Sequence, residues 1–180
     1  MKLFQQIMGL ARAYPLITIT TMLLNYLMTN NIESLMLSGA LVINDMINFA
    51  LKYWIVKPLL GDKKYFLMGS GSRPKGAKNC SLFVEKNASF SKSYGMPSGH
   101  SQNAAFFSTY AIMGILNNPA FSNKFIFIAI FIVLALSVMY SRVFLKCHTV
   151  QQIAIGGLLG SILGLQYYNN KDNIKRLLKI

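Results

Sequence analysis

Five stretches of the chain run with little or no charge. Residues 13–32 carry no Asp, Glu, Lys or Arg, and residues 34–51 carry only Asp45. Residues 93–123 are free of those charges and hold His100 near their start; residues 125–141 and 149–170 are uncharged as well. A bilayer core takes about 20 apolar residues of helix, within a range of about 17–25. Buried helices of a soluble protein would give the same pattern, but five of them in 180 residues would leave little chain to coat them. The pattern therefore predicts one all-α domain over residues 1–180, a polytopic transmembrane helix bundle of about five spans. The third helix is expected to begin around Pro97. The opening "MKLFQQIMGLAR" predicts a short amphipathic helix lying in the interface, since Arg12 interrupts the apolar run and no small-residue cleavage site follows.

Five crossings have a consequence for the polar junctions between them. Span two ends near Lys52–Lys57, span three begins near His100, span four ends near Arg142, and span five begins near His148. All four points fall on one face of the membrane. Charge gaps alone defined the spans, so this convergence is an independent result.

Composition sharpens the reading. Eighteen Lys+Arg stand against five Asp+Glu, a net charge of +13. Such a balance fits nucleic acid in a soluble protein, but 53% hydrophobic residues and a mean hydropathy of +0.41 favour a bilayer, with anionic headgroups or phosphate ligands drawing the cations. No nucleic-acid partner is expected. Much of the charge lies in a basic insert, residues 58–92, which also carries two sequons, Asn79-Cys80-Ser81 and Asn87-Ala88-Ser89. Positive-inside reasoning would turn this face to the cytoplasm, whereas cations that bind a ligand do not report topology, so the orientation stays open. Cys80 and Cys147 form no CxxC pair and say little about redox compartment. Cys147 and His148 are neighbours that would point apart on a helix, so no metal site is expected.

Three segments on the shared face carry candidate chemistry. In "YSRVFLKCHTVQQ", Gln152 stands at i+4 from His148 and shares its helix face. Its amide oxygen could accept from one imidazole nitrogen and leave the other free to attack. In "PSGH", Pro97 suits a first helical turn, and Ser98, Gly99 and His100 would present free backbone N–H groups to an anion. His100 is placed to protonate a leaving oxygen, while simple capping by Ser98 is the structural alternative. In "GSGSRPKGAKNC", Arg73 offers a fork of donors suited to a phosphoryl group. Gly71 and Gly76 have the spacing of a nucleotide loop, but Ala77-Lys78 follows and no strand precedes, so that reading is rejected.

Arg73-Pro74, then Pro97-Ser98-Gly99-His100, then Ser141-Arg142 with His148, in this order, resemble the phosphatidic acid phosphatase type 2 / vanadium haloperoxidase superfamily. The resemblance covers about residues 52–165, the expected catalytic core. It implies a metal-independent, cofactor-free enzyme with His148 as phosphoryl-accepting nucleophile and His100 as acid. Arg73, Arg142 and Ser98, with Pro97 and Gly99 beside them, would hold the phosphoryl oxygens. The chain departs from the family pattern twice. Phe66 stands where the first motif has lysine; Lys52 resembles that lysine, with Lys64 as rival. Gln152 stands where many members have aspartate, and with "GMPSGHSQ" it resembles the dolichyl-diphosphatase branch. The resemblance thus implies a multi-pass membrane phosphatase, in the endoplasmic reticulum or another cellular membrane, acting on a lipid phosphate or polyprenyl diphosphate. A phosphatidate, lysophospholipid or sphingoid-phosphate phosphatase and a non-catalytic headgroup-binding protein are the alternatives. A vanadate-dependent peroxidase fits five spans poorly.

Other positions read as structural. Asp45 is expected to hydrogen-bond within the bundle, with Asn44 or Asn48 as partners. Gly156, Gly160 and Gly164 recur every fourth residue and predict close helix packing. The tail "KDNIKRLLKI" predicts a basic amphipathic end on headgroups. Gln102 has no assigned role.

Overall fold

The computed structural model describes residues 6, 8, 10–66, 69–77, 80 and 93–179. Its helices are α1 (Tyr14–Thr29), α2 (Ile32–Ala50), α3 (Gly99–Asn117), α4 (Lys124–Phe144) and α5 (Val150–Leu178). Each covers most of one of the five charge-poor stretches, and α5 runs on past its stretch into the basic tail. α2 runs on through a π-helical turn, Leu51–Val56, and a last turn, Lys57–Leu60, as one rod of 29 residues. That rod and α4 are long and apolar enough to cross a bilayer. A two-residue hairpin, β1 (Lys64–Tyr65) and β2 (Gly69–Ser70), interrupts the connection from α2 to α3.

The start and stop signals are local. Asn31 caps α2 by accepting from the Glu33 N–H at 3.0 Å, and Asn30 closes α1 in the left-handed conformation. Ser98 caps α3, so that helix starts at Gly99, two residues later than expected, and Pro97 lies ahead of the cap rather than inside the first turn.

The packing is polar inside and apolar outside. Arg142, Gln102, Gln152, Asn44 and Asn103 are among the largest fully buried side chains. Phe125, Ile126, Val133 and Leu136 of α4, and Ile43, Met46 and Phe49 of α2, are exposed. Soluble proteins bury these residue types in the reverse sense. α3 and α5 pack most intimately, and the glycine stripe is the reason. A Cβ on Gly156, Gly160 or Gly164 would run into the carbonyl oxygens of Ser98, Gln102 and Phe106.

Buried polar side chains satisfy one another across helices, as a low-dielectric interior demands. Gln102 on α3 accepts from Asn48 at 2.7 Å and donates to the side chain and carbonyl of Asn44 at 2.9 and 3.1 Å. That zipper supplies the role for Gln102 that the sequence withheld. It also corrects the reading of Asp45, whose partner is Asn103 of α3 at 3.4 Å, because Gln102 engages both expected asparagines. The basic tail continues α5, and its Lys171 and Lys175 reach Glu33 at 3.6 and 2.6 Å.

Cys80 and Cys147 are bonded to each other across 67 residues, with their Cα atoms 5.5 Å apart. They do report on redox environment, then, because such bonds persist in oxidising compartments. The segment 1–5 and the sequon residues Asn79, Ser81 and Asn87–Ser89 lie outside the described residues. So do Lys78, Lys86 and Lys92 and most of the expected interfacial helix. Its last residue, Arg12, belongs to a 3₁₀ turn, Ala11–Ala13, that leads directly into α1.

Candidate active site

One end of the bundle gathers Lys52, Arg73, His100, Arg142 and His148. The local structure that holds His148 starts with Thr149, the N-cap of α5. Thr149 and Gln152 form a reciprocal capping box, in which the Thr149 hydroxyl accepts from the Gln152 N–H and the Gln152 side chain accepts from the Thr149 N–H, both at 3.3 Å. The Gln152 amide nitrogen donates to the carbonyls of Ser70 and Ser72, each at 2.8 Å, and this fixes which way the amide points. Its oxygen therefore faces His148 Nδ1 at 3.0 Å. An amide oxygen can only accept, so Nδ1 carries the proton.

The other ring nitrogen completes the assignment. Arg73 Nη1 lies 3.1 Å from His148 Nε2, and a guanidinium only donates. Nε2 is thus the unprotonated nitrogen, its lone pair turned toward Arg73. His148 is buried, and burial, followed by the charges of Arg73, Lys52 and Arg142, holds its pKa well below the usual histidine range. The ring is neutral and nucleophilic at physiological pH.

Arg73 is anchored on every side by chain oxygens. Its Nε donates to the Ser93 carbonyl at 2.9 Å, its Nη2 to the Ser93 hydroxyl at 2.6 Å, and its Nη1 to the Cys147 carbonyl at 2.9 Å. Burial lowers its pKa to about 10, which leaves it fully charged at neutral pH. The loop that delivers it is tied down by Tyr94, whose hydroxyl donates to the Gly61 carbonyl at 2.7 Å. Gly71 has to be glycine there, because a Cβ would overlap the Tyr94 hydroxyl.

Arg142, in the last turn of α4, is fully buried. One Nη donates to the Cys80 carbonyl, while Nε and the other Nη have no partner among the described residues. Both bridged cysteines therefore present their carbonyls to an arginine of the site. Lys52, in the π turn of α2, is buried and feels the charges of Arg73, Asp45 and Arg142. Lys64 is exposed on β1, which separates the two first-motif rivals. His100 opens α3, and its Nε2 meets the Arg12 carbonyl at 2.9 Å.

The PSGH segment differs from expectation in one respect. The Ser98 N–H is not free: it donates to the Gln152 carbonyl at 3.1 Å, joining the start of α3 to α5. The Ser98 hydroxyl accepts from Ser101, both N–H (3.4 Å) and hydroxyl (3.0 Å). Gly99 keeps its hydrogen-only position because a Cβ would press on Asn48 Oδ1. Three partners gave no signal in the sequence. The Arg12, Cys80 and Cys147 carbonyls act through the backbone, so residue type does not mark them.

Charge defines what this arrangement can do. Among the described residues, Lys52, Arg73 and Arg142 form no ion pair, and Asp45 is the one carboxylate that bears on them, through Lys52. A neutral imidazole lone pair aimed into a buried group of cations suits attack on an anionic electrophile.

The PAP2 superfamily model matches residues 34–176. Dolichyldiphosphatase 1 of Rhinolophus ferrumequinum is 26% identical over 86% of this chain and 59% of its own length. Dolichyldiphosphatase of Saccharomyces cerevisiae is 27% identical over 86% of the chain and 58% of its own. Lipid phosphate phosphatase gamma of Arabidopsis thaliana is 39% identical over 42% and 35%. The chain spans about three fifths of the length of the dolichyldiphosphatases it matches. No solved structure matches it at comparable significance.

Proposed function

The chain belongs to the PAP2 superfamily, and on that premise we propose that it is a multi-pass membrane phosphatase that removes the terminal phosphate of a polyprenyl diphosphate without a metal. One observation carries the reading: the unprotonated Nε2 of buried His148 faces a cluster of cations that contains Arg142 with two unpartnered donors. A phosphoryl group supplies the missing acceptors. Arg73, Arg142, Lys52 and the amides at Gly99–His100 hold its equatorial oxygens, with the Ser98 hydroxyl beside them.

His148 Nε2 attacks the terminal phosphorus in line, and the bond to the bridging oxygen breaks with its electron pair leaving on that oxygen. His100, imidazolium when the anionic substrate is bound and with its Nε2–H held by the Arg12 carbonyl, gives that oxygen its Nδ1 proton. Water then attacks the phosphohistidine, His100 takes a proton from the water, and inorganic phosphate departs from a regenerated imidazole. Gln152 holds Nδ1–H throughout. It orients the ring but adds no countercharge, so the cationic site is balanced by substrate alone.

The lipid part has a place to lie. An apolar groove of about 470 Å³ between α2, α3 and α5, lined by Ala40, Ile43, Ile47, Phe106 and Leu163, begins at Ile47, between one and two turns along α2 from Lys52, and runs on away from it. The Cys80–Cys147 bond favours an oxidising compartment on the site's side, such as the lumen of the endoplasmic reticulum. A lipid monophosphate is the second reading, favoured by the likeness to lipid phosphate phosphatase gamma.

The test is phosphate release in EDTA from polyprenyl diphosphate, polyprenyl monophosphate, phosphatidate, lysophosphatidate and sphingosine phosphate. The diphosphate is expected to be the best substrate, with turnover abolished by His148→Ala and nearly so by His100→Ala. Release that needs a divalent metal, or that survives His148→Ala, overturns the proposal.

A further inference from the structure

Arg12 lies 88 residues from His100 in sequence, in the turn that leads into α1, yet its carbonyl accepts from His100 Nε2 at 2.9 Å. That contact fixes Nε2 as a protonated nitrogen and leaves Nδ1, which has no partner among the described residues, as the atom that carries the second proton of the imidazolium to the leaving oxygen. An in-line displacement puts nucleophile and leaving group on opposite sides of the phosphorus. His148 and Arg73 stand together at 3.1 Å, and Arg12 stands with His100; in the mechanism proposed above the first pair serves the attack and the second the departure.

The side chain of Arg12 points the same way as this backbone contact. Its Nε is buried and has no hydrogen-bond partner among the described residues. Arg142, whose Nε and one Nη are likewise buried and unpartnered, feels the charge of Arg12 as well as that of Arg73. The Nε of this half-buried side chain is withdrawn from solvent, and its charge bears on Arg142. Burying unpaired donors beside like charges is costly unless an anion arrives.

We propose that Arg12 binds the leaving phosphate of a diphosphate substrate, so that the segment ahead of α1 completes the active site and sets its preference for diphosphates over monophosphates. This rests on the phosphatase reading above and deepens it. When the substrate is a diphosphate, cleavage of the terminal phosphorus–oxygen bond leaves a phosphate monoester, whose anionic oxygens Arg12 can hold. When the substrate is a monophosphate ester, the leaving group is an alcohol with no charge for Arg12 to meet. The same residue serves the acid through its backbone and the departing anion through its side chain.

Arg12→Ala separates the two roles, because the substitution leaves the carbonyl in place. It is expected to lower kcat/KM for polyprenyl diphosphate about 10- to 100-fold more than for polyprenyl monophosphate, the range of one or two charge-assisted hydrogen bonds. Arg12→Lys should restore part of the difference. Equal loss on both substrates, or no loss on the diphosphate, overturns the proposal. If the wild-type protein releases phosphate from no lipid, the phosphatase reading is what fails, and calorimetry still decides this one. The wild type should bind inorganic pyrophosphate more tightly than orthophosphate, and Arg12→Ala should erase that preference; an equal preference in both proteins overturns it.

Discussion

At one end of the bundle Glu33 holds Lys175 at 2.6 Å and Lys171 at 3.6 Å, and the three side chains remain partly open to solvent. At the other end Lys52 and Arg142 are buried with Arg73 half-buried beside them, and carbonyl and hydroxyl oxygens rather than carboxylates take up the donors of the two arginines. The first arrangement carries its own counter-ion: one carboxylate lies between two lysines that water also reaches. The second is open, because carbonyl dipoles satisfy geometry without cancelling charge. A fold keeps buried cations uncompensated where something outside the chain supplies the anion. The difference teaches that charge count marks a site less well than charge balance does. Both ends are cationic, and only one calls for a ligand.

The comparison breaks most visibly at Arg142. Arg142→Ala removes the two unpartnered donors and should lower kcat/KM for phosphate release by about 10²–10³-fold, the scale of a lost transition-state donor. Steady-state kinetics on detergent-solubilised protein checks this.

Gln152 comes next. Glutamate there would set a carboxylate oxygen against the carbonyls of Ser70 and Ser72, where the amide nitrogen now donates to both. Gln152→Glu should cost about 1–3 kcal/mol of stability through these broken contacts and lower kcat about 10- to 100-fold as the ring loses its hold. Thermal melting beside kinetics reads both effects. The backbone thus explains the departure from aspartate: this loop requires a donor as well as an acceptor.

The pH profile sharpens the electrostatic side. His148 has a folded pKa below its unfolded value. Its contribution to stability is therefore full above about 6.5 and is lost as pH falls through the range beneath. The acid limb of kcat/KM should lie below the ordinary histidine range. Arg73→Ala removes a nearby cation, so that limb should move to higher pH, toward about 6.5.

The smallest effect belongs to the Glu33 end. Glu33→Gln should leave phosphate release within about twofold and cost no more than about 1 kcal/mol, as for other partly exposed ion pairs.

Much of the site was legible before any coordinates. The five helices follow from gaps in charge, and the convergence of Lys52, His100, Arg142 and His148 follows from counting crossings. The i+4 spacing gave the Gln152–His148 pair, and the glycine stripe gave the α3–α5 contact. What escaped has a common cause. Cys80 and Cys147 are 67 residues apart, and neither carries a spacing motif. Arg12 reaches His100 through a carbonyl that any residue type would present. Ser98 looked like a free amide because helix starts usually offer one, whereas here the Gln152 carbonyl occupies it. Periodicity reads side chains along one element; it is silent on backbone groups that meet across the fold.

The central claim is that His148 Nε2 becomes phosphorylated. Rapid alkaline quench of the enzyme with polyprenyl diphosphate labelled in its terminal phosphate tests it directly. The account predicts a transient label on the peptide that carries His148, stable in base, lost in acid, and absent from His148→Ala. Phosphate release at the wild-type rate with the label on another residue, or with none formed, would contradict it.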